Sequence, residues 1–389
     1  MDYRRPPSAA SIVVKIFAAI LLVCVTAVVT VGIMNPFGFF EYGKLLSFRI
    51  ATSTINRLYY GEITSELLFE GAMRGMTEAI ADPYTTYINR EDSAMFRMMM
   101  EGGFYGVGIH VATTEDNEVV VVAPIPNSPA YYAGLVSNDI ILKVDGQEVS
   151  DSISGSSLIR GPEGTQVSLT IRRADGEIVD IEITRARIEI STVESRILDG
   201  NIAYISISQF SQTTARELSD ALNAFDIEPY GIVLDLRNNG GGILDSAVEI
   251  AGNFLPRGTL VAYSDGRGVR RREYRTQNNS PLDMPLVLLT NGFSASASEI
   301  LVGALRDHER AISVGETTFG KGLIQMSFPF GGGALNITSA RYFTPNGNDI
   351  DGIGIAPDVE VSQNGQPSND ENDAQLQAAI RELWEKINQ

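Results

Sequence analysis

At Gly102 the spacing of apolar residues changes from helical to alternating, and near residue 188 it changes again. An alternating segment places one side chain in two on each face of a sheet, whereas a helical stripe repeats every three to four residues. The two switches therefore divide the chain before any motif is considered. Residues 41–101 mix charged and apolar positions without strand-like runs and read as helices, interrupted at Asp82-Pro83. From 102 to 187, GVGIHV (106–111), EVVVVAPI (118–125), DIILKVDG (139–146), TQVSLTIRR (165–173) and EIVDIEITRA (177–186) read as strands. Short helices fit at Ser128–Gly134 and Ser152–Arg160, which completes a small β-rich module.

Residues 188–361 alternate between element types. Strands are expected at 201–210, 231–237 and 285–290, and helices at 212–225, 243–254 and 296–306, the pattern of an α/β core. A polar linker, 362–373, leads to a last helix within 362–389, with Leu376, Ala379, Ile380, Leu383 and Ile387 on one face. The fold class expected is multidomain α/β.

Residues 1–40 are of a different kind. No charged side chain occurs from 16 to 40, and 16–34 is almost wholly apolar. About 20 such residues cross a bilayer core as a helix. Arg4, Arg5 and Lys15 precede the run, so the positive-inside tendency leaves the N-terminus cytoplasmic and the rest outside. An uncleaved single-pass anchor fits better than a signal peptide, which needs a shorter apolar core and a small-x-small cleavage site.

Composition excludes several chemistries. A net charge of −18 opposes nucleic-acid binding, and the one basic cluster, Arg270-Arg271-Arg272, is short. The single cysteine, Cys24, lies in the apolar run, so a disulfide framework and a cysteine nucleophile in the remainder are both excluded. The two histidines, His110 and His308, form no metal-ligand pair and read as ordinary structural or surface residues. Hydrolytic chemistry here has to proceed without a histidine base, and no metal or organic cofactor is expected.

Four segments carry chemical potential. Asn291-Gly-Phe-Ser-Ala-Ser-Ala-Ser-Glu299 lies between an apolar strand and an apolar helix. Small residues permit a tight strand-to-helix turn that exposes a serine hydroxyl beside helix N-terminal amides, which stabilise an oxyanion. Capping the helix is the ordinary role for such serines, and Ser294, Ser296 and Ser298 are equivalent on this ground. Thr317-Thr-Phe-Gly-Lys-Gly322 places Lys321, one of five lysines, between two glycines in an uncharged run. Burial can make lysine a base by lowering its pKa from about 10.4 toward roughly 7–8, at about 3–5 kcal/mol. KGLIQMSF reads as a strand, and an even spacing puts Gln325 on the same face as Lys321. The stretch 315–322 matches GxxxxGK, but Gly322 replaces the magnesium-binding Ser or Thr and a strand follows, which argues against a phosphate loop.

The third segment, Asp235-Leu-Arg-Asn-Asn-Gly-Gly-Gly242, ends an apolar strand with glycines that let backbone amides approach a ligand. In the fourth, Gly106-Val107-Gly108-Ile109, successive amides at the start of a strand suit the carboxylate of a peptide tail, which the strand edge can pair.

From residue 41 onward the chain resembles the C-terminal processing peptidases. The resemblance rests on FYGVGI, DLRNNGGG, NGFSASASEI, GETTFGKGLIQ, ARYFTPNG and GIAPDV, met in the expected order. It implies a helical domain at 41–101, a PDZ domain at 102–187 and a serine-protease core at 188–361. It further implies Ser296 as nucleophile, by its 25-residue separation from Lys321, with Lys321 as general base and Gln325 as its orienting partner. The amides of Gly241 and Ala297 would form the oxyanion hole. Arg160, in LIRGPEGT, would sense the tail bound at Gly106–Ile109. Gly240 departs from the family, which usually has Pro there. The implied activity is endoproteolysis of proteins with accessible apolar C-terminal tails, at the outer side of a bacterial inner membrane. Further copies of the chain and an adaptor protein are implied partners. The rival reading from the residues is a membrane-tethered PDZ adaptor with a degenerate protease core.

Overall fold

The computed structural model describes residues 15–23, 25–26, 40–114, 116–267, 269–278, 280–363, 365, 367 and 369–388. Of the expected anchor, residues 16–23, 25 and 26 are helical, while 24 and 27–34 lie outside the described residues. Among the described residues no helix is long and apolar enough to cross a membrane. The chain divides into two compact units, Met1–Ala81 and Asp82–Gln389.

The first unit contains helices Phe40–Leu58 and Ser65–Glu78. Thr64 starts the second, its hydroxyl accepting the Leu67 N–H at 3.2 Å.

The second unit opens with an element that the spacing of apolar residues conceals. Thr86–Ile88 is a strand, antiparallel to Gly333–Phe343, within a stretch expected to be helical throughout. Three residues are too few to show a period, and the order comes from the distant partner strand. Helix Arg90–Glu101 follows. Strand Gly103–Gly106 then pairs with Ala186–Glu189, so one two-stranded ribbon joins the entry and exit of the β-rich module.

That module is an antiparallel sheet of Ile109–Thr113, Val119–Pro124, Ile140–Val144, Gln166–Arg172 and Ile178–Thr184, matching the five expected strands. Val119, Val121, Ile141, Leu169, Ile171 and Ile183 fill its core. Helix Ser152–Ile159 starts at Asp151, whose carboxylate accepts two of the free amides of the first turn. Its far end is held by the buried Arg185, which donates to the carbonyls of Leu158, Ile159 and Gln166.

The α/β core holds a six-stranded sheet ordered Val193–Leu198, Ile202–Ile207, Gly231–Asp235, Leu286–Thr290, Ile312–Gly315 and Val359–Glu360. All neighbours are parallel except the first pair. Leu286–Thr290 is buried throughout, as a parallel strand covered on both faces must be. Ile205, Ile207, Leu234 and Leu288 face helices Thr214–Asn223, Leu244–Ala251 and Ala297–Asp307. The alternate residues Ile202, Val233, Val287 and Leu289 face helix Ala374–Ile387 through its Leu376, Ala379 and Leu383. The apolar stripe of the last helix is therefore spent on its own sheet.

Candidate active site

Three loops leave the carboxyl ends of adjacent parallel strands, where α/β sheets bind ligands: 236–242, 291–296 and 316–322. Side-chain bonds lace the first two together. Asn238 and Asn291 exchange hydrogen bonds of 3.0 and 2.9 Å. Ser294 donates to the Leu236 carbonyl at 2.8 Å, and Ser298 to that of Asn239 at 2.9 Å, both fully buried. Among the three serines of the motif, this leaves Ser296 facing the cavity.

Ser296 has φ +58° and ψ −115°, a backbone conformation that non-glycine residues rarely hold. Such strain costs on the order of 1–3 kcal/mol and is stored where the surroundings fix it. It turns the chain sharply from strand to helix and projects Oγ from the N-terminus of Ala297–Asp307. Gly241 packs against this turn with φ +101°; a Cβ there would stand 2.7 Å from both the Ala295 carbonyl oxygen and Ser296 Cβ. Only glycine fits. Its amide donates to Asn239 Oδ1 at 2.9 Å, whereas the Ala297 amide has no acceptor among the described residues. Gly240 has open space where a Cβ would project.

The residue that joins the site was not among those expected. Glu299 is fully buried, and its carboxylate accepts from the Ser296 amide (2.8 Å), the Lys321 amide (2.9 Å), the Gly320 amide (2.7 Å) and the Thr318 hydroxyl (2.6 Å). Four donors satisfy the buried charge and tie the serine turn to the lysine loop. A carboxylate three residues after a serine at a helix start is the capping-box spacing, the signal that was available in the sequence.

Lys321 and Gln325 line the same cavity of about 760 Å³ as Ser296 and Gly241. Pro83, Tyr84, Phe96 and Met100 give it apolar walls from a region that sequence reading left aside. Lys321 Nζ lies over the Tyr84 ring, 4.7 Å from its centroid. Burial pulls the lysine pKa below its ordinary value, and the Glu299 charge works against that fall. The Ser296 hydroxyl pairs with Tyr342 Oη at 2.9 Å, not with the lysine.

The route by which Gln325 reaches the cavity differs from the one expected. The strand begins only at Leu323, leaving Lys321 in the loop, and its register shifts between Ile324 and Gln325. Even spacing along one strand therefore does not relate the two residues. Gln325 Nε2 donates to the Leu323 carbonyl at 3.4 Å. Arg237, in the glycine-loop motif, belongs to the scaffold: its guanidinium pairs with Asp235 and Asp373, fastening that loop to the last helix. His110 is exposed on the β-rich module, and His308 contacts the Leu260 carbonyl at 2.7 Å. Neither reaches the cavity. Among the described residues no cluster of three or more His, Cys, Asp or Glu could hold a metal ion.

In the β-rich module, Val107 and Gly108 turn their carbonyls inward, to the Ala130 amide (2.8 Å) and the Ser128 hydroxyl (2.9 Å). Their amides have no acceptor among the described residues. Strand Ile109–Thr113 lies at the edge of the sheet, and the hydroxyl of its last residue, Thr113, donates to that of Ser152 at the start of helix Ser152–Ile159 at 3.0 Å. At the C-terminal end of that helix Arg160 lies 5.6 Å from the centre of the Phe104 ring, on the ribbon that joins module to core.

The profile of peptidase family S41 matches residues 201–361, that of the PDZ domain 120–173, and that of the activating protease CtpB N-terminal domain 41–92. The chain is similar to a carboxy-terminal-processing protease of Bartonella bacilliformis, 37% identical over 337 residues, covering 83% of this chain and 76% of that one. It is also similar to carboxy-terminal processing protease CtpA of Bacillus subtilis, 35% identical, covering 78% and 66%. Among solved structures, a photosystem II D1 C-terminal processing protease covers 84% of this chain and 95% of its own, at 29% identity and a TM-score of 0.49. With 37% identity to the Bartonella protease over most of both lengths, the chain belongs to peptidase family S41 and is a C-terminal processing serine endopeptidase with a PDZ domain.

Proposed function

We propose that the enzyme cleaves proteins near their C-termini by acyl transfer through Ser296 and Lys321. The observation that carries this is the Ser296 turn, strained and fixed at the head of a buried helix, with Lys321 lining the same cavity and tied to it through Glu299. Lys321, neutral, takes the Ser296 proton as Oγ attacks the scissile carbonyl carbon. The ammonium then protonates the leaving amine, and water releases the acyl group. The Ala297 amide faces the developing oxyanion, joined by that of Gly241 once it leaves Asn239. Gln325 orients the lysine after it swings from Tyr84 towards the serine.

Substrate selection falls to the PDZ domain. The free amides of Val107 and Gly108 suit a terminal carboxylate, while Ile109–Thr113 offers its edge to the tail. Arg160, stacked on Phe104, stands where tail binding can be passed to the ribbon leading to the core. The uncharged run 16–40 after Arg4, Arg5 and Lys15 supports a single-pass anchor in the bacterial inner membrane, with the catalytic part outside. Exposed Leu45, Leu46, Phe48 and Ile50 on helix Phe40–Leu58 support association between copies of the chain.

The decisive experiment is cleavage of an unstructured protein with an apolar tail by the wild type and by Ser296→Ala. Activity should vanish in the variant. Full activity would refute the assignment, and unchanged cleavage of an amidated tail would refute the role given to the PDZ domain.

A further inference from the structure

The buried hydroxyl that touches Ser296 has no part in the scheme so far. Tyr342 stands on strand Gly333–Phe343, 5% exposed, with its Oη 2.9 Å from Ser296 Oγ. Its own amide donates to the Gly322 carbonyl at 2.9 Å, which pins the residue beside the lysine loop. Burial pushes the phenol pKa up to about 12, with the Glu299 charge adding to the rise. Burial moves Lys321 the other way. Of the two groups the lysine is therefore the one that gives up its proton more readily, and the phenol keeps its own. Tyr342 is a donor, not a base.

The backbone donors leave a place for it. The Ala297 amide is free at the helix start, but the Gly241 amide is held by Asn239 Oδ1. An oxyanion forms on the same carbon that Oγ attacks, so a hydroxyl in contact with Oγ is within reach of that oxygen.

Building on the Ser296–Lys321 reading, we propose that Tyr342 is a further catalytic residue, whose hydroxyl donates to Ser296 Oγ at rest and to the oxyanion of the tetrahedral intermediate. As Lys321 removes the serine proton, Oγ bonds to the carbonyl carbon and the π pair moves onto the carbonyl oxygen. Tyr342 turns its O–H to that oxygen and transfers no proton. Collapse restores the carbonyl and breaks the C–N bond, and the departing nitrogen takes the lysine proton.

The test compares the full-length wild type with Tyr342→Phe and Ser296→Ala. Losing one donor should lower kcat about 10²–10³-fold while KM stays within about twofold. Affinity for a peptidyl aldehyde, which forms a tetrahedral adduct on the serine, should fall by a similar factor. Affinity for the matching peptidyl alcohol should not change, whereas a merely structural role would move both or neither. An inactive Ser296→Ala beside a Tyr342→Phe variant as active as the wild type, or more so, overturns the proposal alone. An active Ser296→Ala overturns the dyad reading with it. If Tyr342→Phe does not fold, 3,5-difluorotyrosine at position 342 decides the matter. Its more acidic hydroxyl should add a descending alkaline limb to the kcat profile, and a profile without that limb overturns the proposal.

Discussion

The two groups of the proposed dyad are held in place in different ways. Ser296 sits between a strand buried at every residue and a helix buried from Ala297 to Leu305. Its neighbours Ser294 and Ser298 are bonded to a second loop. Lys321 sits between two glycines, before a strand that pairs on one side only and exposes Met326, Phe328 and Phe330. Its Nζ lies over the Tyr84 ring, and the serine hydroxyl is paired with Tyr342 instead. The proposed nucleophile is preset by packing; the proposed base is held at its backbone by Glu299, and only its side chain makes no hydrogen bond among the described residues.

The largest effect that tests this contrast comes from removing the base. Lys321→Met should lower kcat about 10²–10⁴-fold, the usual share of a general base. Because Lys321 makes no buried ion pair, its melting temperature should stay within a few degrees of the wild type. A large loss of stability would make the lysine part of the scaffold and break the comparison. Next comes Gly241→Ala. Its Cβ would press on the Ala295 carbonyl and Ser296 Cβ, and a preset turn cannot give way. We expect activity to fall about 10²–10³-fold, as for a lost oxyanion donor, together with a lower melting temperature. Tolerance of alanine would show that the serine turn yields, and that packing does not preset it.

Glu299→Gln tests the connection between the two sides. The amide presents an NH2 group to two of the four donors now facing carboxylate oxygens. Leaving donors unsatisfied in a buried site costs about 2–4 kcal/mol, readable by denaturant titration. Misplacement of the lysine loop should lower kcat up to about 10²-fold. A stable, fully active variant would mean that the loops hold their places without the clamp.

How much of this was legible depended on whether a residue's signal was local. The five strands of the PDZ domain and the α/β alternation follow from periods that each segment carries in itself. The choice among Ser294, Ser296 and Ser298 did not. It turns on which hydroxyls are consumed by Leu236 and Asn239, some 60 residues earlier in the chain. Tyr342 and Tyr84 lie outside the two catalytic motifs and reach the site only through the sheet that pairs Thr86–Ile88 with Gly333–Phe343. Gln325 lines the same cavity as Lys321 by a different route, because a register shift interrupts the alternation that the even spacing assumed. Local pattern announces elements, while hydrogen-bond partners across the fold decide roles.

The smallest expected effect bears on where the lysine waits. With Lys321 as the proposed base, activity needs its neutral form, so kcat/KM should rise with pH through the lysine pKa, which burial has lowered. The face of Tyr84 attracts the charged form, worth about 0.5–1 kcal/mol at a partly exposed site. That attraction opposes the lowering, so Tyr84→Leu should release it and carry the acidic limb to lower pH. At about 1.4 kcal/mol per tenfold change in proton affinity, the displacement is roughly half a pH unit. Leucine keeps the wall apolar, so the desolvation that lowers the pKa remains. The plateau should hold its height, because the ring touches the base at rest and not the reacting atoms. Movement of the limb to higher pH would mean that the ring acts by excluding water from the lysine. Tyr84 would then form part of the catalytic arrangement, and the contrast between the two sides would shrink accordingly.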